Sequence, residues 1–348
     1  MGNDISRILI ETVIRKALRD VKDSPERSTR NLVDMALHFS SGPFQRKFFE
    51  TVQEMLQDEH SAYYSLIRDA AGSADPDKLV SFGLNLGYNS FVDGARAIRA
   101  AEAADGFNIP WMVRLDIHGP SYARQAEAYR SVIRQGEQLG IFTWSLFPSG
   151  QPQSLFSLIG EHPDCAFLLF CEPEALTDAL LDEAARLNNL LFMVRYSSSA
   201  SDICGLLRRK GFLYSVYVPY GADDLERISS GELFCCTENL HAVFTLLLAD
   251  PPCPDDIRQE VYGQAVRIRK AQQYRTIPLE WTFDSRFVDG IISEDACLAA
   301  FDERGDLVSP HGQTLLKSGN LFQHPLREIL KSAFPKTPAD AGPEEPSL

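Results

Sequence analysis

No Cys-x-x-Cys pair occurs among the seven cysteines of this 348-residue chain, and their odd number is not that of a closed disulfide framework. No apolar run approaches the roughly 20 residues of a membrane-spanning helix. No Gly-x-Gly-x-x-Gly follows a strand-like run, so the glycine fingerprint of a dinucleotide-binding sheet is missing. Basic charge is in short supply as well: 34 Lys and Arg face 48 Asp and Glu, a formal net charge of −14. That balance argues against non-specific nucleic-acid binding and gives no attraction to anionic membranes. No secretory leader is legible, so a cytoplasmic protein with reduced, mostly buried thiols is expected. The opening Met-Gly-Asn-Asp-Ile-Ser fits the short myristoylation pattern at Gly2, a pattern too loose to establish acylation.

What remains is an ordinary globular composition, 44% hydrophobic and 24% charged, in a chain long enough to bury a barrel-sized core. Residues 1–75 read as a helical region. Val13, Ile14 and Leu18 lie on an apolar stripe at helical spacing, Ser40-Ser41-Gly42-Pro43 is a stop signal, and Gly72-Ser73-Ala74-Asp75-Pro76 marks a boundary. From 76 to 290, short apolar runs alternate with amphipathic helices. Strands are expected at 80–86, 111–117, 142–147, 166–171, 190–196 and 213–218, with 243–248 and 277–282 as a seventh and an eighth. Such alternation predicts an α/β fold, a partial or full parallel (β/α) barrel, with a doubly wound open sheet as its rival. Residues 291–334 change character to a β-hairpin and a short helix. The proline-rich stretch 335–348 buries too little to fold.

In a parallel barrel, functional residues gather at the C-terminal ends of the strands. The expected first strand runs out into Asn85, Gly87, Tyr88 and Asn89, a polar turn suited to ligand binding. Alternation along the second puts Arg114, Asp116 and His118 on one face. A carboxylate beside His and Arg can hold an acid/base pair or bind an anion, or it can be a salt-bridged layer that only closes the barrel. Trp144 belongs to the third strand end, Tyr217 and Tyr220 to the sixth, and Glu280, Trp281 and Asp284 to the last. Glu172 and Arg195 are charges set in apolar strands, which are costly unless paired, so the two are expected to meet.

The C-terminal segment carries a family resemblance. Cys297, then Phe301-Asp302-Glu303-Arg304-Gly305-Asp306-Leu307-Val308-Ser309-Pro310-His311, then Gly319-Asn320-Leu321 and Pro325-Leu326-Arg327-Glu328-Ile329-Leu330, resembles the SPASM/twitch extension of radical SAM enzymes. There a cysteine precedes a "dGdv-P-C" hairpin, and a "GN" turn leads into a helix. The resemblance implies a radical-SAM-like barrel, S-adenosylmethionine as cofactor, and a [4Fe–4S] cluster held by a CxxxCxxC after the first barrel strand. In this chain Asn85–Ser90 stands at that expected place without a cysteine, and the first cysteine is Cys165. His311 stands near the family's second extension cysteine, so Cys297 and His311 (with His324 behind them) are the weak candidates for a metal.

Three readings stay open. One is a cluster-less, non-catalytic relative that binds a protein or peptide partner. A second is an enzyme using Asp116, His118 and Glu172 as acid/base groups, with Arg114 and Arg195 as ligand contacts. The third is an iron–sulfur protein with non-standard cysteine ligands.

Overall fold

A computed structural model describes residues 2–20, 25–39, 43–293, 297–309, 314–316 and 318–336. The stop signal at 40–42, His311 and the tail beyond 336 lie outside the described residues. Five helices open the chain: α1 (Gly2–Asp20), α2 (Pro25–Phe39), α3 (Pro43–Met55), α4 (Ala62–Ser73) and α5 (Pro76–Leu84). A π-helical stretch, Asn85–Gly94, runs from α5 into α6 (Ala95–Asp105).

Residues 80–86 are thus a helix and its π-helical extension, not the expected first strand. The cause lies just upstream. Asp75 caps the helix, its carboxylate accepting from the backbone N–H groups of Asp77 (2.8 Å) and Lys78 (3.2 Å), and Pro76 sits where its missing N–H costs nothing. The run that follows is apolar at helical spacing: Val80, Leu84 and Tyr88 pack against Ile10, Ile14 and Leu18 of α1. A short continuous apolar run reads the same in a buried strand and a buried helix, and the cap decides between them.

The sheet begins at β1 (Met112–His118). It continues through α7 (Gly119–Leu139), β2 (Thr143–Ser149), α8 (Phe156–Glu161), β3 (Ala166–Cys171), α9 (Asp178–Ala184), β4 (Leu190–Arg195), α10 (Ala200–Arg209) and β5 (Tyr214–Tyr220). Then come α11 (Leu225–Ser229), α12 (Glu232–Thr237), β6 (Phe244–Ala249), α13 (Asp255–Ala271), β7 (Ile277–Glu280) and α14 (Trp281–Ile292). The hairpin β8 (Ala299–Phe301) and β9 (Leu307–Val308) precedes α15 (Leu326–Ala333).

The nine described strands form one sheet in the order β7-β6-β5-β4-β3-β2-β1-β8-β9. All neighbours are parallel except β8 and β9, and no described pairing joins β7 back to the far edge. The result is a partial (β/α) barrel with an N-terminal helical region and a hairpin added beside its first strand. The expected strand at 277–282 is cut short, because Glu280 caps α14 by accepting from Phe283 N at 2.7 Å.

Alternation divides the sheet into two faces. Val113, Leu115, Ile117, Phe167, Leu169, Phe192 and Val194 face the main core with the surrounding helices. On the other face, Ala166, Phe170, Leu191, Met193, Tyr217 and Leu246 pack with Phe82 of α5. Helix α5 therefore covers the inner face near the start of the strands, leaving their C-terminal ends open.

Candidate functional site

Residues from β1, β2, β3, β5 and the hairpin turn 302–304 line a cleft of about 560 Å³ at the C-terminal edge of the sheet. That volume is in the range of small-ligand sites, roughly 300–1,000 Å³. Its floor is aromatic. Phe147 and Phe170 stack with ring centroids 3.9 Å apart, and Tyr217 and Trp281 meet Phe170 edge-on at 5.2 and 5.4 Å.

Charges line the wall. Asp116 accepts both arms of Arg114, from Nε at 2.7 Å and Nη2 at 3.1 Å, and the guanidinium lies 3.9 Å from the centre of the Phe147 ring. Burial raises the Asp116 carboxyl above the ordinary carboxylate range, Arg114 opposes that shift, and the like charges of Glu303 and Asp302 add to it. Arg195 Nη1 donates to Glu172 Oε1 at 3.1 Å, and the Tyr217 hydroxyl approaches the same oxygen at 3.5 Å. The structure thus brings Glu172 and Arg195 together. Both are about half exposed, at 52% and 46%, so these charges are not buried as strand residues were expected to be.

The opposite wall is the hairpin turn. Asp302 holds it by accepting from Arg304 N and Asp306 N, each at 2.9 Å. Asn320 of the Gly-Asn turn donates to Arg304 O at 2.9 Å and to Asp306 Oδ1 at 2.8 Å, fixing the two turns to each other. Gly305 has φ +82°, and a Cβ there would lie 2.6 Å from the Phe322 ring, so both backbone and space require glycine. Phe322 in turn meets Tyr129 edge-on at 5.5 Å.

The other expected residues divide. His118 follows Asp116 on the same face, yet its Nδ1 pairs with Ser121 Oγ at 2.9 Å, at the start of α7. Asn85 and Asn89 are at the other end of the sheet. Asn85 donates to the carbonyls of Pro163 (2.7 Å) and Cys165 (2.9 Å), and Asn89 to Asp164 O (2.8 Å), fastening the loop that feeds β3. Tyr88 is core, and Gly87 lies in the same π-helical stretch. These four were expected at a strand end beside the site; the helix that contains them places them away from it.

Trp144 points to the helical face and meets Gly136 of α7, while Tyr220 donates to the buried Glu280 at 2.9 Å. Asp284 is taken by both arms of Arg269, at 3.0 and 3.1 Å. Phe147, Phe170 and the wall at 302–304 escaped the sequence reading as site residues. The alternation signal was present, since Phe147 and Phe170 share the inner face with Arg114 and Glu172.

The position after the first strand is now Gly119-Pro120-Ser121-Tyr122, again without cysteine. Cys165 precedes β3 at the opposite end of the sheet, Cys171 is buried with its thiol pushed well up, and Cys204 lies in α10. Among the described residues, no three His, Cys, Asp or Glu converge as a metal site. This donor set does not fit a [4Fe–4S] cluster. Cys297 is buried, and its backbone N–H donates to Asp289.

The architecture is similar to that of SuiB from Streptococcus suis. With SuiB bound to S-adenosylmethionine the TM-score is 0.51 at 10% identity, over 82% of this chain and 77% of that one. With SuiB bound to the precursor peptide SuiA it is 0.50 at 9% identity, over 68% of each chain. At such identity the likeness shows the fold alone, a mostly parallel α/β sheet with helices. No protein-family model matches the chain, and no characterised protein matches it in sequence. No described helix is long and apolar enough to cross a membrane.

Proposed function

We propose that the chain is a peptide-binding accessory protein on a radical-SAM-like barrel, gripping its partner at the C-terminal mouth without cleaving S-adenosylmethionine itself. The observation that carries this reading is the mouth: an aromatic floor between two pairs of opposite charge, walled by the 302–304 turn, where no thiolate stands. Aromatic rings and paired Arg and carboxylate groups are what peptide side chains and backbone amides dock against. That a neighbour in fold is bound to a precursor peptide supports a peptide as the ligand. S-adenosylmethionine stays within the reading as a second ligand, because a sulfonium suits an aromatic floor beside carboxylates.

Peptides selected from a displayed random library on the full chain are the direct test. Saturable binding that Phe170→Ala or Glu172→Gln weakens is expected, and binding indifferent to both substitutions would overturn the assignment of the mouth. Iron and sulfide reconstitution under anaerobic conditions should give no protein-bound visible chromophore. A cluster that forms and cleaves S-adenosylmethionine would end the accessory reading.

The raised carboxyl of Asp116 favours one second reading, an acid/base enzyme at the same mouth. In that case Asp116→Asn abolishes a detectable turnover.

A further inference from the structure

A second cleft, of about 340 Å³, lies where α4 and α10 meet the turns leading into β6 and β7, near the start of the strands rather than their mouth. Arg68 and Asp69 come from α4, Arg208 from α10, His241 from the turn before β6 and Arg275 from the turn before β7. Three arginines and a histidine thus share a lining with one carboxylate, in a chain whose net charge is −14.

Asp69 is fully engaged. It takes Arg208 Nη1 at 2.9 Å and Nη2 at 2.5 Å, and His241 Nδ1 lies 3.0 Å from its Oδ2. Burial alone would raise this carboxyl, yet Arg208 and His241 hold it below the ordinary range. The Asp69 charge is therefore spent on Arg208. Arg68 and Arg275 are exposed at the rim; Glu238 accepts from the Arg275 backbone N–H at 3.1 Å, and its carboxylate lies 3.8 Å from the Arg275 guanidinium. His241 is held in the left-handed region at φ +55°, uncommon for a residue with a side chain, and this places its ring against Asp69.

We infer that this cleft binds a small phosphorylated anion, with Arg68 and Arg275 contacting the phosphoryl oxygens and Asp69 holding Arg208 and His241 in position behind them. Guanidinium forks match phosphoryl oxygens in geometry and charge. A free anion is favoured over a lipid headgroup, because a chain of this net charge is repelled by an anionic bilayer.

The inference is independent of the peptide reading, and its test uses the full chain and inorganic pyrophosphate. Calorimetric titration at low salt should show saturable one-site binding, with a dissociation constant of about 1 mM or tighter. The double substitution Arg68→Ala with Arg275→Ala should weaken it roughly tenfold or more, the scale of losing charge-assisted hydrogen bonds. Both residues are exposed, so the fold should survive, and an unchanged thermal midpoint without ligand checks this. Arg186→Ala, an exposed arginine outside the cleft, should leave affinity unchanged. Absence of saturable binding, or equal weakening by Arg186→Ala, overturns the proposal.

Discussion

Arg114 is sandwiched between a ring and a carboxylate: its guanidinium lies 3.9 Å from the centre of Phe147 while Asp116 takes two of its N–H groups. Lysine can supply the charge but neither the planar stack nor the fork. Arg114→Lys is therefore expected to weaken peptide binding at the mouth by about tenfold and to cost only about 1 kcal/mol of stability, since the pair is partly solvated. Affinity and urea midpoint, measured on the same preparation, separate the two effects. Equal affinity of Lys and Arg variants would remove the sandwich from the binding surface.

Gly305 shows how the hairpin turn keeps its shape. Gly305→Ala places a side chain at positive φ and drives a Cβ into Phe322. Left-handed strain and overpacking together should cost roughly 3 kcal/mol. Because the turn 302–304 is one wall of the cleft, peptide affinity should fall as well, and Phe322→Ala in the same background should recover part of the stability. No recovery would mean that the ring contact is not the source of the strain.

The asparagines Asn85 and Asn89 lead to the opposite expectation. Asn85→Ala strips the donor from two carbonyls, those of Pro163 and Cys165, and should cost about 2 kcal/mol in chemical denaturation. Binding at the mouth should be unaffected. A selective loss of binding with unchanged stability would return this stretch to the functional site.

Much of the barrel was legible because its strands are apolar on both faces and separated by helices of ordinary length. β3 at Ala166–Cys171 falls where its residues predict it, and the alternation of Arg114, Asp116 and His118 is preserved. The failure at Val80 is local: an apolar run has the same composition in a buried helix, and Asp75-Pro76 marks a boundary in sequence that the fold uses as a helix cap. The mouth is legible in its charges and in Tyr217. Phe147 and Phe170 read as core in any apolar strand, and the wall at 302–304 depends on β8 pairing with β1, which no local pattern encodes.

Asp289 gives a pH prediction. Its carboxylate is buried, accepts from Trp111 N at 3.0 Å and from Cys297 N, and burial lifts it to about 7 despite those bonds. An unfolded aspartate titrates near 3.9, so between about 4 and about 7 the folded chain holds the extra proton. The Asp289 contribution is thus greatest at acidic pH and is lost as pH rises through about 7. Urea midpoints across this window should decline for the native chain relative to Asp289→Asn, whose amide does not titrate. Parallel curves would show that Asp289 does not titrate in that window.

The order of the strands also sets an order of assembly. β1 lies between β2, its near neighbour in sequence, and β8, whose pairing of Ala299 with Val113 waits until residues 119–298 have been made. During synthesis, β1 therefore presents an unpaired parallel edge, the kind of surface that recruits other chains. A chain ended before Ala299 would keep that edge permanently and lack the wall formed by 302–304. The hairpin is at once a wall of the cleft and the pairing that closes the β1 edge.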